Sequence, residues 1–128
     1  MYIEHIAIWV NDLENMRGFY ESYFEGKSGD KYINPTKNFS SYFIEFETGC
    51  RLEIMHNPSV NLPRTSDNKL LGLTHFAISV ASEKQVDFIT NKIIRNGFQL
   101  LSQPRRTGDG YYESVVLDPE HNQIEITI

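Results

Sequence analysis

The sequence predicts an α+β fold: two βαβββ repeats forming a curved mixed sheet, with a metal and substrate cavity on the concave face. Three observations predict it. The two half-chains open alike, IEHIAIWV and LTHFAISV, and close alike, CRLEIM and NQIEITI. Each opening segment alternates apolar and other residues with the period of two expected of a half-buried strand. Each is followed by a capped segment with helical apolar spacing and then by further strand-like runs. Neither half can bury its sheet face alone, and with only two copies this is a duplication rather than a solenoid.

The elements follow in order. In residues 3–10, Ile6, Ile8 and Val10 share one face, and Ile3, His5, Ala7 and Trp9 share the other. Asp12 stands at an N-cap position, Leu13, Met16, Tyr20, Tyr23 and Phe24 form an apolar stripe, and Gly26 suits the C′ position. Residues 27–40 are polar and rich in turn formers, a loop with a short strand inside. SYFIEFET and CRLEIM form two strands joined by a tight turn at Thr48-Gly49. Residues 56–72 hold two prolines and many small polar residues, which places a linker at 57–72 between repeat one (about 1–56) and repeat two (about 73–128) of a single domain, 1–128.

The pattern then restarts. In strand 73–80, Phe76, Ile78 and Val80 oppose Leu73, His75, Ala77 and Ser79. Ser82 with Gln85 makes a capping box. Val86, Ile89, Ile93 and Ile94 form the second helix's stripe, and Asn96-Gly97 its stop. Strands follow at 98–102, 111–117 and 123–128, the last two joined by the turn Asp118-Pro119-Glu120-His121-Asn122.

Composition narrows the function. At 128 residues with 40% hydrophobic and 23% charged residues, the chain has the make-up of one globular domain. A net charge of −5 disfavours nucleic acid and anionic membrane surfaces as partners. No run approaches the ~20 apolar residues of a membrane span, and the opening MYIEHIAIWV has neither the basic start nor the cleavage site of a signal peptide. Cys50 is the single cysteine, which excludes an intramolecular disulfide and fits a reducing cytoplasm. Beside a turn, it reads as a small residue starting a strand rather than a nucleophile.

The chemistry concentrates in four residues at matching positions. His5 and Glu53 are 48 residues apart, and His75 and Glu125 are 50 apart. If the helices cover the more apolar strand faces, all four project from the uncovered face. Two imidazoles and two carboxylates are suitable ligands for a borderline divalent cation such as Zn, Ni, Co, Mn or Fe. Without a cation, two glutamates in one cavity repel each other and are costly to desolvate.

HIAIWVNDLENMRGFYESYF, THFAISV and VVLDPEHNQIEI resemble the vicinal oxygen chelate superfamily, which includes glyoxalase I, fosfomycin-resistance enzymes, methylmalonyl-CoA epimerase, extradiol dioxygenases and bleomycin-resistance proteins. The resemblance covers nearly the whole chain and is closest to glyoxalase I-like proteins. It implies a homodimer acting on a small-molecule substrate, with His5, Glu53, His75 and Glu125 binding the metal. It further implies lyase or isomerase chemistry, in which a metal-bound glutamate takes a proton α to a carbonyl while the cation stabilises the enediolate. Glu125 is the expected base, with Glu53 second. One departure stands out: Trp9 occupies the position where glyoxalase I enzymes of this type often carry an arginine for the glutathione carboxylate. Iron-dependent oxygenation, fosfomycin-resistance chemistry and non-enzymatic ligand binding of the bleomycin-resistance kind are the alternatives on the same scaffold.

In the run PRRTGDGYYES, Arg105 or Arg106 suits an anion clamp and Tyr111 or Tyr112 a pocket wall; a solvated hairpin explains the same residues. Trp9 reads equally as a substrate platform and as a cavity wall. Glu45 and Glu113 lie mid-strand, and their facing depends on a hairpin register that the sequence leaves open.

Overall fold

The computed structural model describes residues 1–62 and 71–128. Most of the expected linker, residues 63–70, lies outside the described residues. The chain divides into two compact units, Met1–Pro63 and Arg64–Ile128.

In the first unit, β1 (His5–Trp9) leaves His5, Ala7 and Trp9 exposed and buries Ile8. The helix α1 (Leu13–Phe24) starts where the Asp12 carboxylate accepts the backbone N–H of Glu14 at 3.1 Å and of Asn15 at 3.0 Å, which satisfies two of its free donors. Its inner face buries Leu13, Met16, Phe19, Tyr20 and Phe24. At the end of α1 the structure corrects the sequence reading. The left-handed residue is Glu25, at φ 56°, and Gly26 is needed for space: a Cβ there would lie 2.6 Å from Ile44 Cγ2.

The short strands β2 (Lys27–Ser28) and β3 (Tyr32–Asn34) both pair antiparallel with β4 (Phe39–Glu45). The pairing with β3 draws β4 two residues earlier than expected. A turn through Gly49, at φ 91°, leads to β5 (Arg51–His56), which lies antiparallel to β4 and parallel to β1. The sheet order is β1-β5-β4-β2, with β3 also on β4.

The second unit repeats the scheme. β6 (His75–Ser79) precedes α2 (Glu83–Arg95), where Ser82 Oγ accepts from Gln85 N and the Gln85 side chain accepts from Ala81 N at 2.8 Å. The helix stops at Gly97, at φ 88°, with Phe98 N donating back to Ile93 O, the wrap of a Schellman end. β7 (Leu100–Arg106), β8 (Tyr112–Leu117) and β9 (Gln123–Thr127) complete a sheet ordered β6-β9-β8-β7, with β6 parallel to β9. β7 begins later than expected and runs through Pro104 to Arg106. It tolerates the proline because it is the last strand of its sheet, where a missing N–H breaks no ladder.

In each unit the helix packs on the sheet, α1 against β4 and β5, and α2 against β7, β8 and β9. Ile44, Leu52 and Ile54 are buried in the first unit, and Val116, Ile124 and Ile126 in the second. Each such side chain contributes about 1.5–3 kcal/mol. Because the buried residues alternate along β5 and β9, Glu53 and Glu125 are turned to the opposite face.

Candidate metal and substrate site

One register recurs in both units. In the parallel pair β1/β5, Ala7 lies opposite Glu53; in β6/β9, Ala77 lies opposite Glu125. Each glutamate is thus one diagonal step from the histidine that opens the neighbouring strand, on the same face. His5 Nε2 stands 3.8 Å from Glu53 Oε2, and His75 Nε2 stands 3.5 Å from Glu125 Oε2. The glutamates are 12% and 20% exposed and the histidines 40% and 45%, so the carboxylates are fixed by the sheet while the rings stay open to solvent.

These separations test the fit of a metal ion. They are long for a hydrogen bond. A divalent ion holding one nitrogen and one oxygen at about 2.0–2.2 Å with a tetrahedral angle sets its donors roughly 3.4 Å apart. Each His–Glu pair fits that requirement in spacing and in donor type. Among the described residues, no three His, Cys, Asp or Glu side chains form a group able to hold a metal ion, so each unit by itself offers a two-donor arrangement.

His5 has a further carboxylate behind it. Its Nδ1 donates to Glu4 Oε2 at 2.5 Å, and Arg51 pairs with Glu4 Oε1. The hydrogen bond from His5, followed by that from Arg51 and its charge, holds the Glu4 carboxyl below its usual range against the opposing effect of burial. Trp9, 48% exposed, shares the His5 face of β1.

In the second unit a cavity of about 590 Å³ has His75, Glu125, Glu113, Tyr111, Asp109 and Thr107 in its wall. Glu113 is the residue that the sequence left undecided. The β8/β9 register sets Glu113 opposite Thr127 and Val115 opposite Glu125, so Glu113 joins the Glu125 face. Ser114 points the other way, with its hydroxyl 2.6 Å from Thr90 Oγ1 of α2. Burial, then the charge and hydrogen bond of Glu125, push the Glu113 carboxyl above its usual range, and Arg105 opposes this from 3.7 Å.

The hairpin residues divide by face. Tyr111 is in the cavity wall and Arg105 stands beside Glu113. Arg106 instead pairs with Glu83 of α2 and stacks over the Tyr112 ring, whose hydroxyl donates to Asp87 at 2.9 Å. Arg106 and Tyr112 thus brace the helix side of the sheet. Elsewhere, His56 Nδ1 bonds to Val10 O at 3.1 Å, His121 adopts a left-handed turn conformation at φ 66°, Cys50 is half-buried and Glu45 is exposed.

Among the described residues, no helix is long and apolar enough to cross a membrane. Comparison with known proteins agrees with the duplicated topology. An uncharacterized protein of Bacillus subtilis (strain 168), YqjT, is 27% identical over 127 residues, 97% of this chain and 96% of that protein. A glyoxalase family protein from Enterococcus faecalis superposes with a TM-score of 0.79 at 21% identity, covering 98% of this chain and 96% of that one. Glyoxalase I from Zea mays gives 0.77 at 21% identity, covering 98% of this chain and 44% of the maize chain. At these identities the structural likeness is one of fold. The family model for the Glyoxalase/Bleomycin resistance protein/Dioxygenase superfamily matches residues 2–126, and the chain, with a βαβββ unit in each half when β2 and β3 are counted as one strand position beside β4, belongs to that superfamily.

Proposed function

We propose that this protein is a metal-dependent enzyme of the glyoxalase I kind, carrying out lyase or isomerase chemistry on a small carbonyl substrate. His5, Glu53, His75 and Glu125 are its divalent-metal ligands, and Glu125, with Glu53 second, is the base. One observation carries the reading: the same His–Glu pair, in the same parallel register, at 3.8 Å in one unit and 3.5 Å in the other. Duplication alone repeats the register; the reading rests on both copies placing a histidine and a glutamate at those positions. The superfamily hosts enzymes such as glyoxalase I, and non-enzymes on the same fold.

When bound, a divalent cation supplies Lewis acidity toward a substrate oxygen, which acidifies the neighbouring carbon. The chain's own residues do the rest. Glu125 is a sheet-fixed carboxylate in the cavity wall, suited to take a proton there. Glu113 shares the Glu125 face, and burial and the charge of Glu125 push its carboxyl above the usual range. Tyr111, in the cavity wall, and Arg105, beside Glu113, are the hairpin residues assigned to the substrate in this reading, with Trp9 on the His5 face of β1. The working form is a cytoplasmic homodimer, which light scattering of the purified protein would check.

Elemental analysis of the purified protein, followed by turnover of methylglyoxal with several thiols, tests the reading. Bound Zn, Ni, Co, Mn or Fe is expected, with metal lost in His75→Ala. Glu125→Gln should keep the fold and lose turnover. A metal-free protein without turnover overturns the reading in favour of a ligand-binding module, and full turnover in Glu125→Gln removes Glu125 as base.

A further inference from the structure

We infer that Glu4 is a positioning residue that fixes both the tautomer and the direction of the His5 ring, so that Nε2 is presented as a bare lone pair toward Glu53. The inference rests on the reading of His5 as a metal ligand, and adds a residue that neither strand alternation nor the half-chain repeat singles out.

Three side chains, Glu4, Arg51 and Phe43, close a ring with the imidazole. The two oxygens of Glu4 are divided: Oε2 accepts from His5 Nδ1 at 2.5 Å, and Oε1 is taken by the Arg51 guanidinium. Arg51 is the residue opposite His5 in the parallel pair, and its backbone N–H also donates to the Glu4 carbonyl at 3.1 Å. The guanidinium lies 4.2 Å over the Phe43 ring, and Phe43 meets the His5 ring edge-on at 5.4 Å. Glu4 is thereby pinned from one side by Arg51, while Phe43 limits rotation of the imidazole from the other.

The chemical consequence follows from the donor inventory. A carboxylate only accepts, so the ring nitrogen facing Glu4 must carry the proton. In a neutral imidazole the other nitrogen, Nε2, is then unprotonated, which is the form that binds a metal. Carboxylates behind ligand histidines orient the ring and raise its basicity in this way. At the matching position of the second unit, the residue before His75 is Thr74. The two half-sites therefore differ, His5 being preset and His75 lacking a carboxylate at that position.

The test uses the metal-free full chain, so it does not depend on activity. Imidazole ¹⁵N shifts near pH 8.5, above the ordinary histidine range of about 6.5, should show His5 as the Nδ1–H tautomer. Glu4→Ala should shift it toward Nε2–H, and Glu4→Gln, which keeps an oxygen acceptor, should restore much of the Nδ1–H form. Glu4 is about half exposed, so these variants should keep their fold by circular dichroism. In a Zn²⁺ chelator competition, Glu4→Ala should bind roughly 10–100-fold more weakly than wild type, with Glu4→Gln between them. An Nε2–H ring in the wild type, or unchanged Zn²⁺ affinity in Glu4→Ala beside a wild type that binds Zn²⁺, overturns the inference. A wild type that takes up no Zn²⁺ but shows the Glu4-dependent tautomer refutes the metal reading alone and upholds Glu4 as the group that sets the ring.

Discussion

The carboxyl of Glu113 shares a sheet face with that of Glu125 across the antiparallel strands β8 and β9. Burial and the charge of Glu125 push the Glu113 carboxyl above its usual range, with Arg105 at 3.7 Å opposing. Two carboxyls this close share a proton more readily than they carry two charges. The folded chain therefore holds the Glu113 proton to higher pH than the unfolded chain does. The stability tied to that proton is fully present below the unfolded glutamate range, near 4.3, and is lost as pH rises through the raised folded value. Glu113→Gln mimics the protonated form. Its melting temperature relative to wild type should therefore climb between pH 4 and pH 8 in metal-free protein. A difference that stays flat, or falls, across that range would remove the carboxyl pair from the account.

Two glycines of the first unit should respond oppositely to alanine. At Gly26 the new Cβ would meet Ile44 Cγ2 at 2.6 Å and Tyr20 O at 3.3 Å, and overpacking of this kind costs about 1–3 kcal/mol. At Gly18, inside α1, nothing lies within 4 Å of the new atom, and a helical Gly→Ala change gains roughly 0.5–1 kcal/mol. Urea denaturation of the two variants should give shifts of opposite sign.

The helix-side face carries the stability of the second unit. Ile126 is fully buried, and Ile126→Ala should cost about 2–5 kcal/mol. Thr127, next to it on the opposite face and half-buried, should tolerate alanine with little change in unfolding midpoint. Equal losses at the two positions would mean that the strand faces are assigned wrongly.

The β8–β9 turn depends on one aspartate. Asp118, 3% exposed, accepts from the backbone N–H of Glu120 and of Asn122, both at 2.9 Å, and from Asn122 Nδ2 at 2.8 Å. Asp118→Ala strands these donors and should destabilise the protein by about 1–3 kcal/mol. Asp118→Asn, which keeps one acceptor, should recover part of that in thermal unfolding.

Much of this was legible before any coordinates. Strand alternation assigned His5, Glu53, His75 and Glu125 to the face away from the helices, and burial along β1, β5, β6 and β9 agrees. Asp12 and Ser82 marked the helix starts correctly because an N-cap is a local bond between a side chain and a backbone two or three residues on. Gly26 misled because a glycine earns its place by backbone conformation or by lack of volume, and only the position of Ile44 distinguishes the two.

The sequence by itself determined the duplicated βαβββ pattern and the face of each of the four candidate ligands, since period two and capping are properties of contiguous residues. Tertiary structure alone decided the register. Pairing Ala7 with Glu53 and Ala77 with Glu125 brought each histidine to within 4 Å of its glutamate. Pairing Glu113 with Thr127 brought a second carboxyl to the Glu125 face and sent Arg106 and Tyr112 to α2. Register belongs to two strands together, and a shift of one residue would reverse every face.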